Sequence, residues 1–397
     1  MPDDILFLNN STEWNNIDEL LAKYRIYLQL IGSLSPLFSD SNIPYLYYRG
    51  AENIFCKAFG ADNLSRSDIS IDAKKGDIGI GLKTFHKKNG YCLEKVAEFN
   101  RLSEKFRPLM ADSKKLVCEI SRLRNDRLNV TARIAETPVE KMVYHCVSRS
   151  EGEFHISEFR MHLINIDNIT GISSKEGSTT ISFSDGINEY SFNKSKSTLF
   201  MRFDVTNPIY SFPVRVLKDP LRALESMMQS SPEISPIVEP ENETALKSII
   251  LPLYSERSGI HVPKSSGLNQ WNASGRSRDP NEVYIPIPKY IHREYPSFFP
   301  SREIPFSLHT PNGHILNAKV CQDGGKALMT APNKDLGQWI LRDVLNLREK
   351  ELLTYKMLEG IGIDCVEITK NNDLDYSINF KKLGSYEEFK KVSETLE

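Results

Sequence analysis

Apolar positions along this chain change period several times, and each change marks an element. Over residues 17–34 they recur at helical spacing (Leu20, Leu21, Tyr24, Tyr27, Leu28, Leu30, Ile31). Pro36 closes that run, because the residue before a proline is biased away from helix. A second helix is expected over 49–59. The period then shortens: 69–71 and 78–85 read as strands joined by the polar turn Asp72-Ala73-Lys74-Lys75-Gly76-Asp77. Helices follow over 93–107 and 113–125, then strand-like runs at 142–147, 162–166, 179–183 and 189–192. This mixture predicts an α/β (α+β) domain. Patterning lapses after residue 228, where SSPEISPIVEPENET has three prolines, several acids and little periodicity, as a linker does. Beyond it, short apolar segments are punctuated by Pro and Gly, with one helix over 336–345. That fits a small, mainly-β barrel. The expected division is 1–228, a linker at 229–246, and 247–397.

Composition narrows the class. An apolar share of 40% and a charged share of 26% belong to an ordinary globular chain, and 397 residues suffice for two or three cored domains. The net charge of -2 argues against a generally basic coat for nucleic acid, while leaving room for a local basic face. Such a face is present: from Arg257 to Lys334 there are ten Lys/Arg against five Asp/Glu. The six cysteines are scattered without CxxC pairs, which suits reduced thiols rather than a disulfide framework or zinc site. The polar N-terminus and the lack of a long apolar run lead to the expectation of a soluble, cytoplasmic protein without a membrane partner.

Two loops concentrate the polar chemistry. The first offers Asn269, Gln270, Trp271, Asn272, Arg276, Arg278 and Asn281. The second offers Lys319, Gln322, Asp323, Lys326, Met329, Asn333 and Lys334. Asn, Gln, Arg and Lys are the side chains that read base edges in a major groove. The runs GLNQWNA, GRSRDPNEVYIPIP, FFPSREIPF and KVCQDGGKALMTAPNKDLGQWIL resemble the B3-like DNA-recognition domain of type II restriction endonucleases. That module is shared with plant B3 regulators and with enzymes such as EcoRII and BfiI. The resemblance covers roughly 247–370 and implies a pseudobarrel whose two loops are arms gripping duplex DNA. Trp271 is expected to anchor its arm to the barrel.

A second constellation lies in the N-terminal part. In a strand, Ser67-Asp68-Ile69-Ser70-Ile71-Asp72 would place Asp68, Ser70 and Asp72 on one face. Pairing with Gly79-Ile80-Gly81-Leu82-Lys83 would bring Asp68 or Asp72 near Lys83. Carboxylates that hold Mg²⁺, with a cation beside the attacking water, are what phosphodiester hydrolysis needs. This part resembles the PD-(D/E)xK nuclease core, with one departure: Gly81 stands where the acid two residues before the lysine is usual. The resemblance implies that Glu98, expected on the following helix, supplies that acid, with Glu94 one turn earlier and Glu52 as a further metal ligand. Either Asp72 or Asp68 is the aspartate ligand. Asp77 reads as a turn residue.

Other clusters have plainer readings. His86-Lys87-Lys88 begins like a phospholipase-D-type motif, but no matching acid or GSxxN element follows. His145 and His155 read as sheet residues rather than a general-base pair. Arg122–Arg127 and Lys194–Ser197 are either phosphate contacts or solvated surface. The two resemblances together imply a Mg²⁺-dependent type II restriction endonuclease acting on a short site in double-stranded DNA. They imply a homodimer, at least on DNA, since two strands need two active sites, and a cognate DNA methyltransferase as functional counterpart. The competing expectation is a sequence-specific DNA-binding regulator without cleavage.

Overall fold

The computed structural model describes residues 7–8, 16–65, 68–87, 90–174, 178–230 and 248–395. The expected linker, apart from its first two residues, lies outside the described residues, as does Lys88. The chain forms two compact units: residues 1–65, 70–125 and 137–242 make one, and residues 66–69, 126–136 and 243–397 the other.

The first unit opens with α1 (Ile17–Ser33) and α2 (Tyr48–Phe59), followed by β1 (Asp62–Asn63), β2 (Ala73–Lys75), β3 (Ile78–His86) and β4 (Tyr91–Glu98). A short helix α3 (Ser103–Phe106) and the long α4 (Ser113–Ala135) lead into β5 (Met142–Ser150) and β6 (Glu153–Arg160). Then come β7 (Thr170–Ser173), β8 (Thr180–Ser184), β9 (Glu189–Asn193), β10 (Thr198–Asp204), β11 (Tyr210–Pro213) and α5 (Pro220–Ser230). Six strands form one sheet in the order β1-β2-β3-β5-β6-β11, with β3 and β5 parallel. Five more form an antiparallel sheet in the order β4-β10-β9-β8-β7.

Alternation along β3 sets the two faces of the larger sheet. Ile80 and Leu82 join Tyr24, Phe55 and Phe59 of α1 and α2 in one aromatic-rich core. Burying side chains of this size contributes about 1.5–3 kcal/mol each. At Tyr144 of β5, α4 packs: Arg124 donates to the Tyr144 hydroxyl at 2.6 Å, and Asn125 brackets the Ile164 backbone at 2.9 and 2.8 Å. Arg124 is therefore buried inside the unit and not a phosphate contact. His145 is likewise interior, bonded to the Tyr24 hydroxyl and to Glu158.

Three expectations fail here for physical reasons. Residues 93–107 are not one helix. Tyr91-Cys92-Leu93-Glu94-Lys95-Val96-Ala97-Glu98 satisfies either period, and pairing with β10 decides for strand. A bulge beside Val96 shifts the register, so Glu94 and Glu98 do not keep a common parity. Residues 69–71 form no strand, because Asp68 takes a left-handed φ of 44° that interrupts the alternation. Residues 162–166 are also loop and short 3₁₀ turn, the strand lying earlier as β6.

The second unit is a seven-stranded sheet built from β12 (Ser248–Pro252), β13 (Ile285–Pro286), β14 (Pro305–His309), β15 (Ile315–Cys321), β16 (Ala327–Thr330), β17 (Ile363–Asn372) and β18 (Asp375–Lys382). Their order is β12-β17-β18-β14-β15-β16-β13, antiparallel except for β14 beside β18. The end strands β12 and β13 approach each other, so the sheet is nearly closed into a barrel. Its helices are α6 (Lys289–Glu294), α7 (Asp335–Gly337), α8 (Tyr355–Ile361) and α9 (Ser385–Thr395), with a π-helical continuation of α7 over Gln338–Val344. Its core joins Ile285, Val320, Leu328, Trp339 and Ile340 to Val366, Ile378 and Phe380.

Candidate active site and nucleic-acid interface

In the first unit, Asp72 lies immediately before β2 and is fixed by β3. Its backbone N–H donates to the Ile80 carbonyl at 2.7 Å, and its carboxylate accepts the Leu82 N–H at 2.7 Å. The strand that carries Lys83 thus also orients the acid. Burial raises the Asp72 pKa, while the Lys83 ammonium, the Leu82 N–H and Arg49 pull the other way. Lys83 rests over the Tyr144 ring at 5.9 Å, a cation–π contact.

Glu52 enters from α2. Only 6% of it is exposed, and among the described residues its buried Oε2 has no hydrogen-bond partner. Burial, then repulsion from Asp72, raise its pKa. A buried carboxylate oxygen left without a donor is costly, and a cation is its natural complement. Glu94, on β4, is half-buried and accepts from the Cys92 thiol at 2.8 Å. Burial raises its pKa, opposed by that thiol, by Lys83 and by Arg149. Asp72, Glu52 and Glu94 therefore all sense Lys83. Among the described residues, no three His, Cys, Asp or Glu side chains stand ready to enclose an ion on their own.

Two further expected ligands make contacts of their own. Glu98, at the end of β4, pairs with Lys95 at 2.7 Å. Asp68 belongs to the second unit, where its carboxylate accepts the Lys382 N–H at 3.2 Å and faces Lys381 at 3.7 Å. The gap at Gly81 also has a cause. A Cβ there would lie 2.3 Å from Met161 Cε, 3.3 Å from the Ser70 carbonyl and 3.4 Å from the Tyr144 ring. The space an acidic side chain would need is already filled.

In the second unit, the two arms differ in how their side chains are used. The first arm is cross-linked to itself. Glu282 is buried and holds both Arg276 and Arg278. Arg278 also donates to the Ala273 carbonyl at 2.6 Å and to Ser274 at 3.1 Å. Asp279 caps the Asn281 N–H at 2.9 Å, a local turn bond typical of Asp. Asn269 is 1% exposed, and its amide is satisfied by Pro263 and by both backbone groups of Leu353. It is a scaffold residue rather than a base reader. Asn281 is similarly engaged, donating to Gln338 at 3.0 Å and accepting from Arg342 at 2.7 Å. Trp271 packs against the barrel core, as an anchor should.

What remains outward on this arm is Asn272, with one N–H on the Lys264 carbonyl, and the exposed Arg276, with Gln270 half-buried. The second arm turns through Gln322-Asp323-Gly324-Gly325. Three of these residues have φ between 66° and 69°, where glycine is favoured. Lys326 and Lys334 are exposed; Gln322, Met329 and Asn333 are half-buried; Lys319 pairs with Glu303 at 2.7 Å; Asp323 is fully exposed. Gly337 seats the helix that follows this arm against the first. A Cβ there would fall 2.0 Å from the Asn281 carbonyl oxygen. Glu282, Gly337 and Arg342 thus hold the first arm in place, and sequence reasoning missed them. The only signal was an acid six residues after Arg276, within a loop otherwise rich in cations.

Residues 243–372 match the family model of the NgoFVII C-terminal B3-like DNA-binding domain. The match spans both arms and the strands β12 to β17, with β18 lying beyond it, so this stretch is similar to a DNA-binding module of a restriction enzyme. No curated protein matches the chain. Among the described residues, no helix is long and apolar enough to cross a membrane.

Proposed function

We propose that this protein is a type II site-specific endonuclease: the second unit locates a short sequence in duplex DNA and the first hydrolyses the phosphodiester backbone. The observation that carries the reading is the orientation of Asp72 by the Leu82 N–H, one residue from Lys83, in a chain whose residues 243–372 match a restriction-enzyme DNA-binding domain. Asp72 and Glu52 suit a divalent cation, since both carboxylates have pKa values raised by burial and Glu52 Oε2 is an orphaned acceptor. Mg²⁺ is the natural candidate, because it binds through one or two carboxylates and keeps several waters. When bound, it would offset charge on the phosphate and leaving oxygen.

In this reading, Asp72 and Glu52 are the metal ligands. Glu94, rather than Glu98 or Asp68, is the third acid beside Lys83. Lys83, held over Tyr144, stands beside the attacking water and offsets its developing charge. Arg276, Asn272, Lys326 and Lys334 touch DNA, while Asn269, Arg278 and Asn281 keep the first arm in shape. A double-strand cut calls for a dimer on DNA, and a host carrying the enzyme needs a methyltransferase for the same site. Incubation with plasmid or phage DNA plus Mg²⁺ tests the reading. Discrete fragments are expected; specific binding without any cutting would favour a regulator instead.

A further inference from the structure

Beside the acid–lysine cluster, the chain displays aromatic rings where a fold would normally hide them. In the extended segment before α2, Pro44 and Leu46 point inward and Tyr45 and Tyr47 outward, the period of an extended strand. Tyr47 and Tyr48 are 49% and 51% exposed, with ring centroids 4.3 Å apart. The Arg49 guanidinium lies 5.9 Å over the Tyr48 ring. Further back, Phe38 is 61% exposed and stacks on Tyr45 at 5.3 Å with an interplanar angle of 25°. Isolated exposed apolar residues need no explanation, but three exposed rings in eleven residues, with the half-buried Tyr45 among them, do.

The segment is also fixed. The Tyr45 N–H donates to Ser35 Oγ at 2.7 Å, Arg149 reaches the Pro44 carbonyl at 3.4 Å, and the Tyr47 carbonyl begins the α2 hydrogen-bond ladder with Ala51 at 3.0 Å. Its place is next to the chemistry. Arg49 acts electrostatically on both Asp72 and Glu52, Tyr48 is four residues before Glu52 on the same helix face, and Arg149 also acts on Glu94.

We propose that Tyr47 and Tyr48, backed by Arg49, form a stacking platform for an unstacked base of the DNA strand held at the Asp72–Lys83 cluster. The inference rests on the nuclease reading of that cluster and adds a substrate feature to it. A rigid, half-exposed ring offers its face to any base, and an adjacent guanidinium complements the phosphate that follows. The rings would hold the strand in register next to the carboxylates, a positioning role. A second copy of the chain is the competing occupant.

The test uses the full chain and a single-stranded oligothymidylate with one 2-aminopurine. The wild type is expected to quench the 2-aminopurine, and the quench of the bound oligonucleotide should persist while salt weakens the phosphate contacts, because stacking does not depend on counterion release. Y47A/Y48A should lose the quenching and bind about tenfold more weakly, whereas Y47F/Y48F should retain both. Absent quenching by the wild type, unchanged quenching by Y47A/Y48A, or a Phe variant as defective as the Ala variant would each overturn the platform. So would a wild-type dimer that Y47A/Y48A dissociates with quenching unaltered. Lys83→Ala separates the two readings. If it still cuts DNA the nuclease assignment fails, whatever the quenching result.

Discussion

One buried acid in each unit shows charge used in opposite ways. In the second unit, buried Glu282 takes two arginines and fixes the shape of the first arm. In the first, among the described residues, buried Glu52 keeps an oxygen without a partner, and Asp72 accepts the Leu82 N–H with Lys83 nearby. At these two places, satisfied charge builds a scaffold and unsatisfied charge is left available to a ligand. That contrast separates the part proposed to locate DNA from the part proposed to cut it.

The contrast should break most sharply at Asp72. Asp72→Asn removes the acid that β3 orients, and is expected to slow cleavage by about 10³-fold or more while duplex binding stays intact, as read by gel shift beside a nicking assay. Next, Glu94→Gln should cost about 10²-fold in cleavage, and Glu98→Gln should cost almost nothing. Equal losses would return the third acid to the end of β4.

On the binding side, Glu282→Ala leaves two arginines without their carboxylate. We expect about 2–3 kcal/mol of lost specific binding. Lys326→Ala should act differently, weakening binding evenly across sequences and lowering the salt slope by about one. Titrations at several salt concentrations distinguish the two.

The smallest effect concerns stability. Burial raises Asp364 from its ordinary value to about 6 in the folded state. An acid with a raised pKa stabilises the fold below its unfolded value, and that contribution is lost as pH rises through the folded value. The second unit should therefore gain about 2 kcal/mol as pH falls from above 6 toward 4, by denaturant melts. Asp364→Asn should flatten that slope.

How much was legible in the sequence differs between the units for the same physical reason. The arms are local: their residues are contiguous, so long runs such as KALMTAPNKDLGQWIL carried the resemblance that the family match supports. Their internal division of labour was not legible. Asn269 and Arg278 look like base readers by type, and only the pairing with Leu353 and Glu282 turns them inward. The acid–lysine cluster is assembled from α2, the turn before β2, β3 and β4, and its spacing has no fixed period. Asp72, Lys83 and Glu52 were visible as residue types. Glu94 was seen but placed on a helix, because a strand whose periodicity is ambiguous is decided by its partner, β10. The missing acid at Gly81 read as a departure; the crowding by Met161, Ser70 and Tyr144 explains it.

The central claim is that Lys83 belongs to a cutting site and not to a DNA-holding surface. Wild-type protein and Lys83→Ala, each incubated with plasmid DNA and Mg²⁺ and assayed in parallel for duplex binding, test it directly. The account predicts discrete fragments from the wild type, none from the variant, and equal binding by both. A variant that cuts like the wild type, or a wild type that binds its site and never cuts, would contradict it.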